Sequence, residues 1–132
     1  MEVRVSWHEN MRFIGVGPSN HAVVIDTTAV GGDGTAAKPV ELCLIALAAC
    51  TGMDVISILR KMRTPPRKFE VLVKAEQAPE HPKVLTRVEL LYRAEGVPYE
   101  NLYRAAQLSQ ERYCPLSNSL KAEISFAVEA IP

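Results

Sequence analysis

PVELCLIALAACTGMDVISILRKMR, residues 39–63, places two cysteines and an aspartate in the most apolar stretch of the 132-residue chain. Its length, its good helix formers and the lack of an interior proline predict one long helix. Pro39 suits a first helical position, and Arg60, Lys61 and Arg63 suit the negative pole at the other end. Apolar residues cover nearly the whole circumference as far as Leu59. A helix that is apolar all round must be enclosed, and the rest of the chain offers little more than one sheet and one further helix. A second subunit is the natural cover, so the expectation is an obligate homodimer in which paired long helices are wrapped by sheet from both chains.

Upstream of the helix, residues 2–7 alternate Val3, Val5 and Trp7 with Glu2, Arg4 and Ser6, the period of a half-buried strand. Residues 11–16 and 21–26 are further short strands, separated by the turn chemistry of GPSN, so three antiparallel strands are expected. GGDGTAAK, residues 31–38, reads as a mobile loop. Downstream, the breaker TPP precedes two longer strands at 68–76 and 84–94, joined across APEHP. Residues 98–113 return to helical period, CPLSNSL interrupts, and residues 123–130 alternate as a closing strand. This order predicts a single α+β domain over residues 1–132, with antiparallel sheets around a long buried helix.

Composition narrows the class. Lys and Arg together number 15, as do Asp and Glu, and the signs are mixed along the chain, so no field points to nucleic acid. The amino terminus lacks the apolar segment of a secretory signal. The unbroken apolar run at 42–49 is also shorter than the ~20 residues of a membrane span, so a cytoplasmic protein without a membrane partner is expected. His8, His21 and His81 stand far apart, which gives no metal site. GGDGTAAK lacks the GK[ST] ending of a phosphate loop, and RKMRTPPRK reads as a solvated helix end, so no cofactor is expected.

Three widely spaced cysteines do not form a secreted disulfide framework; a cysteine with a role here is reactive or redox-active. Cys50 allows two readings. If the helix breaks at Gly52, Thr51 and Asp54 match a capping pattern, and exposed amides would favour a thiolate. In a continuous helix, Cys50 is a small buried hydrophobe. Cys114 precedes Pro115 and a Ser-Asn turn, so it stands either at a new helix start or in an ordinary loop. Cys43 shares the face of Cys50 two turns away, roughly 10 Å, too far for a bridge, and reads as packing. Asp54 would raise the Cys50 pKa unless a cation neutralises it, so thiol chemistry needs an arginine. Tyr113 either lines the same pocket as Cys114 or packs as an ordinary aromatic. Cys50 and Cys114 together allow a nucleophile and a resolving thiol, the arrangement of a two-cysteine peroxidase.

At these residues the chain resembles the OsmC/Ohr family of osmotically inducible and organic-hydroperoxide-resistance proteins. PVELCLIALAACTGMDV is similar to the family's P-x-E-L-x-x-x-x-L-x-x-C helix, and ERYCPLSNSL to its Y-C-P-[VIL]-[SY] motif. MRFIG and CTGMDVISIL look closer to a YhfA-like branch. The resemblance implies an intertwined homodimer that reduces organic hydroperoxides and is recharged by an external dithiol. Cys50 matches the peroxidatic cysteine and Cys114 the resolving one. In the family's peroxidases, a Glu directly after the proline pairs with an Arg that holds the reactive thiolate. Here Val40 occupies that position and the carboxylate comes at Glu41, about 100° further round the helix; Arg12 is the candidate arginine. The competing expectation, kept open by Val40, is a non-catalytic OsmC-like stress protein that binds a small apolar ligand at the dimer interface.

Overall fold

The computed structural model describes residues 1–132, which fall into two compact units, Met1–Leu44 and Ile45–Pro132. In the first, strands β1 (Arg4–Glu9), β2 (Arg12–Val16) and β3 (Ala22–Ile25) form an antiparallel meander, as the alternation and the GPSN turn predict. The register sets Val5, Gly15 and Val23 in one row and Trp7, Phe13 and Ile25 in the next. The expected half-burial of β1 is not met within the chain: all six of its residues are exposed, and Trp7 keeps 67% of its surface open.

The loop after β3 carries its own hydrogen-bond framework. It is organised around Asp26, which is buried and accepts the backbone N–H of Thr27 at 2.7 Å, the N–H of Thr35 at 3.0 Å and the Thr35 hydroxyl at 2.6 Å. These bonds to the charged form hold the Asp26 carboxyl below its usual pKa, the Thr35 hydroxyl contributing most. Gly32 is required inside this loop, because an added Cβ would fall 2.0 Å from the carbonyl oxygen of Thr27.

Helix α1 (Pro39–Lys61) is continuous, so Gly52 does not break it and Thr51 is not a helix start. The hydrogen-bond ladder outweighs the loss of about 1 kcal/mol that a glycine costs relative to alanine. Nor is α1 buried all round. Leu47, Thr51, Val55 and Leu59, each four residues apart, form one fully buried stripe. Ile45 and Met53 are exposed at 55% and 72%, and only 28% of the helix's most apolar 18-residue stretch is covered.

The second unit holds a sheet in the order β4 (Lys68–Gln77), β5 (Leu85–Glu95), β6 (Glu123–Ile131). The β4–β5 pair is antiparallel but β5–β6 is parallel, which corrects the expectation of purely antiparallel sheets. Helix α2 (Tyr99–Leu108) lies between β5 and β6 in the chain and provides the crossover that a parallel pair needs. Alternation within a strand carries no information about the direction of its neighbour. On central strand β5, Val88, Leu90, Tyr92 and Ala94 are buried, while α2 buries Leu102, Ala105 and Ala106. Tyr103 of α2 meets Phe126 of β6 with ring centroids 5.4 Å apart. Across the exposed face, Arg93 bonds Glu70 at 2.9 Å and Glu129 at 3.0 Å, both directly opposite in register.

The predicted helix over 98–113 changes character before its end. After Leu108 the chain widens into a π-helical turn, Ser109–Tyr113, closed by the Cys114 N–H donating to the Ser109 carbonyl at 2.8 Å. Such turns concentrate at functional sites because they re-aim side chains within a helix.

Candidate functional site

The π-helical turn delivers Cys114 to the flank of α1. Cys114 is fully buried, and its thiol lies near enough to the Cys50 thiol to bear on its ionisation. Residues 64 apart in sequence therefore come near each other, and the Leu116 backbone also bears on Cys50. Burial is the main cause pushing the Cys50 thiol above its ordinary pKa; the Cys114 thiol and the Asp54 carboxylate push the same way, while the Leu116 N–H opposes them. The Ser117 N–H points at the Cys114 sulfur at 3.4 Å, and the Ser117 hydroxyl is buried without a partner. Residues 115–119 form turns, so the loop reading of Cys114 holds, though with an amide donor on its sulfur.

Around this pair lies a polar cluster that the sequence reading did not assemble. Thr51 Oγ1 lies 2.6 Å from Tyr92 Oη and 2.6 Å from Ser109 Oγ, and Ser109 donates to Asp54 Oδ2 at 2.8 Å. Gln110 Nε2 donates to both Tyr92 Oη, at 2.8 Å, and Thr51 Oγ1, at 3.1 Å. One proton per hydroxyl fixes the direction of the chain. Because Ser109 gives its hydrogen to the carboxylate, Thr51 donates to Ser109 and Tyr92 donates to Thr51. Burial keeps the Tyr92 phenol protonated by raising its pKa, as this donor role requires.

Each member of the cluster carries a sequence signal in retrospect. Thr51 interrupts the apolar row Leu47, Val55, Leu59. Tyr92 sits on the buried face of β5, and Ser109 continues the row Leu102, Ala105, Ala106 at helical spacing. A hydroxyl on a buried stripe must find a partner. The Asp54 carboxylate receives the Ser109 hydroxyl and stands on the wall of a groove of about 370 Å³ lined also by Ser57, Ile58, Lys61, Leu108 and Tyr113. Tyr113 is exposed and lines this groove, whose wall includes neither Cys50 nor Cys114.

The remaining candidates lie in the first unit. Arg12 meets Glu9 at 3.5 Å, Asp33 at 3.7 Å and the Thr35 hydroxyl at 3.3 Å. Glu41 is exposed and accepts the Lys38 N–H at 3.3 Å, a cap on the first turn of α1. Cys43 is a half-buried free thiol.

Comparison with known proteins agrees with this architecture. The description of the OsmC-like protein family matches residues 32–129. The chain is 32% identical to Protein YhfA of Escherichia coli K12 over 127 residues, covering 95% of this chain and 92% of that protein. The crystal structure of the OsmC like protein from Mycoplasma pneumoniae superposes with a TM-score of 0.86 over 99% of this chain and 96% of that one, at 14% identity. The organic hydroperoxide resistance protein OhrB of Bacillus subtilis does so with a TM-score of 0.64 over 98% of each chain, at 16% identity, so the fold is shared where little sequence is. With the family description matching residues 32–129 and a relative 32% identical over 95% of the sequence, this chain belongs to the OsmC-like protein family.

Proposed function

We propose that the protein is a two-cysteine thiol peroxidase that reduces organic hydroperoxides. The observation that carries this reading is the proximity of the Cys50 and Cys114 thiols, with a groove walled by Asp54 of the same helix and Tyr113 of the same turn. The Cys50 thiolate attacks the terminal peroxide oxygen. The O–O bond breaks, its electron pair leaves with the alkoxide, and a proton completes the alcohol, leaving Cys50 as a sulfenic acid. The Cys114 thiol then displaces the sulfenic hydroxyl as water and closes a disulfide, which an external dithiol reduces while itself becoming oxidised. The apolar part of the groove, Ile58 and Leu108, favours an alkyl tail that gains from leaving water.

The raised Cys50 pKa means that the thiolate needs a cation, and Arg12 is the candidate. Glu41 or Asp54 would orient that arginine, although each also has a local partner. The working form is a cytoplasmic homodimer. The open rows of β1 and β3 and the uncovered face of α1 support it, since this much apolar surface requires cover. Cumene hydroperoxide consumption driven by dithiothreitol tests the reading: it is lost in Cys50→Ser, while in Cys114→Ser it continues only through direct reduction of the sulfenic acid by dithiothreitol, with no Cys50–Cys114 disulfide formed. Undiminished consumption in Cys50→Ser contradicts it.

The same raised pKa favours a second reading, a stress protein that binds a small apolar ligand at the dimer interface and retains Cys50 for packing. The pH dependence of Cys50 alkylation separates the two. A midpoint below about 7 supports catalysis, and one at or above ~8.5 supports the binding protein.

A further inference from the structure

Closure of a Cys50–Cys114 disulfide would start from a fully buried Cys114, so it depends on where the π-helical turn holds that residue. The hydroxyl cluster ties that turn to α1. Two of its members, Ser109 and Gln110, are the first residues of the turn, and both bond Thr51, the immediate neighbour of Cys50. Tyr92 anchors the assembly to the centre of the sheet through Thr51 and Gln110. Asn118, beyond Cys114, bonds back to the carbonyls of Gln110 at 3.1 Å and Cys114 at 2.8 Å, so the segment is held on both sides of the sulfur. The cluster contains no nucleophile, and its bonds leave Cys50 itself untouched.

We infer that the Tyr92–Thr51–Ser109–Asp54 hydroxyl chain, with Gln110, is a positioning device that holds the π-helical turn so that Cys114 closes on Cys50. It governs disulfide closure and not the first attack on peroxide. The inference rests on the two-cysteine reading for its biological meaning, but the geometry can be tested without peroxide. In closure, the Cys114 sulfur supplies the electron pair of the new S–S bond, and its proton leaves with the sulfenic hydroxyl as water. Holding the two sulfurs in register converts this into a pre-oriented intramolecular step, the kind whose rate falls steeply with small displacements.

Thr51→Val keeps the volume and removes the hydroxyl, whereas Thr51→Ser keeps the hydroxyl and removes a methyl; Ser109→Ala cuts the chain on the other element. In rapid-quench experiments with cumene hydroperoxide, Thr51→Val and Ser109→Ala slow disulfide closure about tenfold or more, while Cys50 sulfenic acid forms at the wild-type rate. Thr51→Ser closes like wild type. A glutathione redox buffer, with no peroxide present, shows the effective concentration of Cys114 toward Cys50 falling by the same factor in the two slow variants. Thermal melts run alongside identify any variant that is not folded. Unchanged closure in Thr51→Val and Ser109→Ala, or closure as slow in Thr51→Ser as in Thr51→Val, overturns the inference, the latter by assigning the effect to packing. Absence of a Cys50–Cys114 disulfide in the redox buffer also overturns it. If peroxide leaves wild-type Cys50 unreacted while the redox-buffer series behaves as described, the peroxidase reading fails and the positioning role stands.

Discussion

Two polar centres organise the two units, and they are built on opposite principles. Asp26 gathers three donors, all from residues within nine positions of it, around a single charge. The Thr51 cluster joins groups 41 and 58 positions apart through neutral hydroxyls and reaches a charge only at its rim, on Asp54. The first is a local turn made rigid by a carboxylate, and it shapes one loop. The second staples a helix, a strand and a π-helical turn together beside the cysteines. The difference teaches that a local charge shapes one loop, whereas long-range neutral hydrogen bonds tie separate elements of the fold to one another.

The largest expected effect lies at the long-range centre. Thr51→Val leaves Tyr92, Ser109 and Gln110 short of a partner in a dry environment and costs about 1–3 kcal/mol of stability, measurable by urea unfolding. A neutral result would mean that the cluster relaxes as freely as an exposed loop and would erase the contrast. At the local centre, Gly32→Ala forces a Cβ into the Thr27 carbonyl and costs on the order of 1–2 kcal/mol, with faster amide exchange at Thr27 and Thr35.

Acid distinguishes the two centres further. The folded-state pKa of Asp26 is depressed, so its contribution to stability is fully present above the unfolded value, ~3.9, and is lost as pH falls below that through the folded pKa. Asp26→Asn therefore flattens the acid limb of the stability curve. Thr51→Val, a neutral change, lowers the curve and keeps that limb; if Asp26→Asn retains the limb, the charge-centred account of the loop is wrong. The smallest effect on stability belongs to Arg12→Gln, below about 1 kcal/mol, because its partners Glu9 and Asp33 are exposed. The same substitution raises the Cys50 alkylation midpoint if Arg12 serves the thiolate, and leaves it fixed if it does not.

The same contrast explains what could be read in the sequence. All six strands and both helices follow from periodicities of two and 3.6 with their turn residues, since these patterns are local. The two cysteine motifs were recognisable as a family resemblance. The parallel pairing of β5 with β6 was not, because strand direction depends on the path of the chain between them. Asp26 passed unnoticed inside a strand edge, although the Asp-Thr-Thr it heads is turn chemistry. Tyr92 and Ser109 were hidden for another reason: they lie 41 and 58 positions from Thr51, and only the fold brings their hydroxyls to it. The open apolar rows of β1 and α1 mark where a single chain stops being informative.

The central claim is that Cys50 and Cys114 form a working redox pair, and the fate of the thiols after one equivalent of cumene hydroperoxide tests it most directly. Peptide mass spectrometry of wild type should find a rapid Cys50–Cys114 disulfide with Cys43 free. Cys114→Ser should accumulate sulfenic acid on Cys50, and Cys50→Ser should leave Cys114 reduced. Thiols that remain unreacted over minutes, or a disulfide that engages Cys43, would contradict the account.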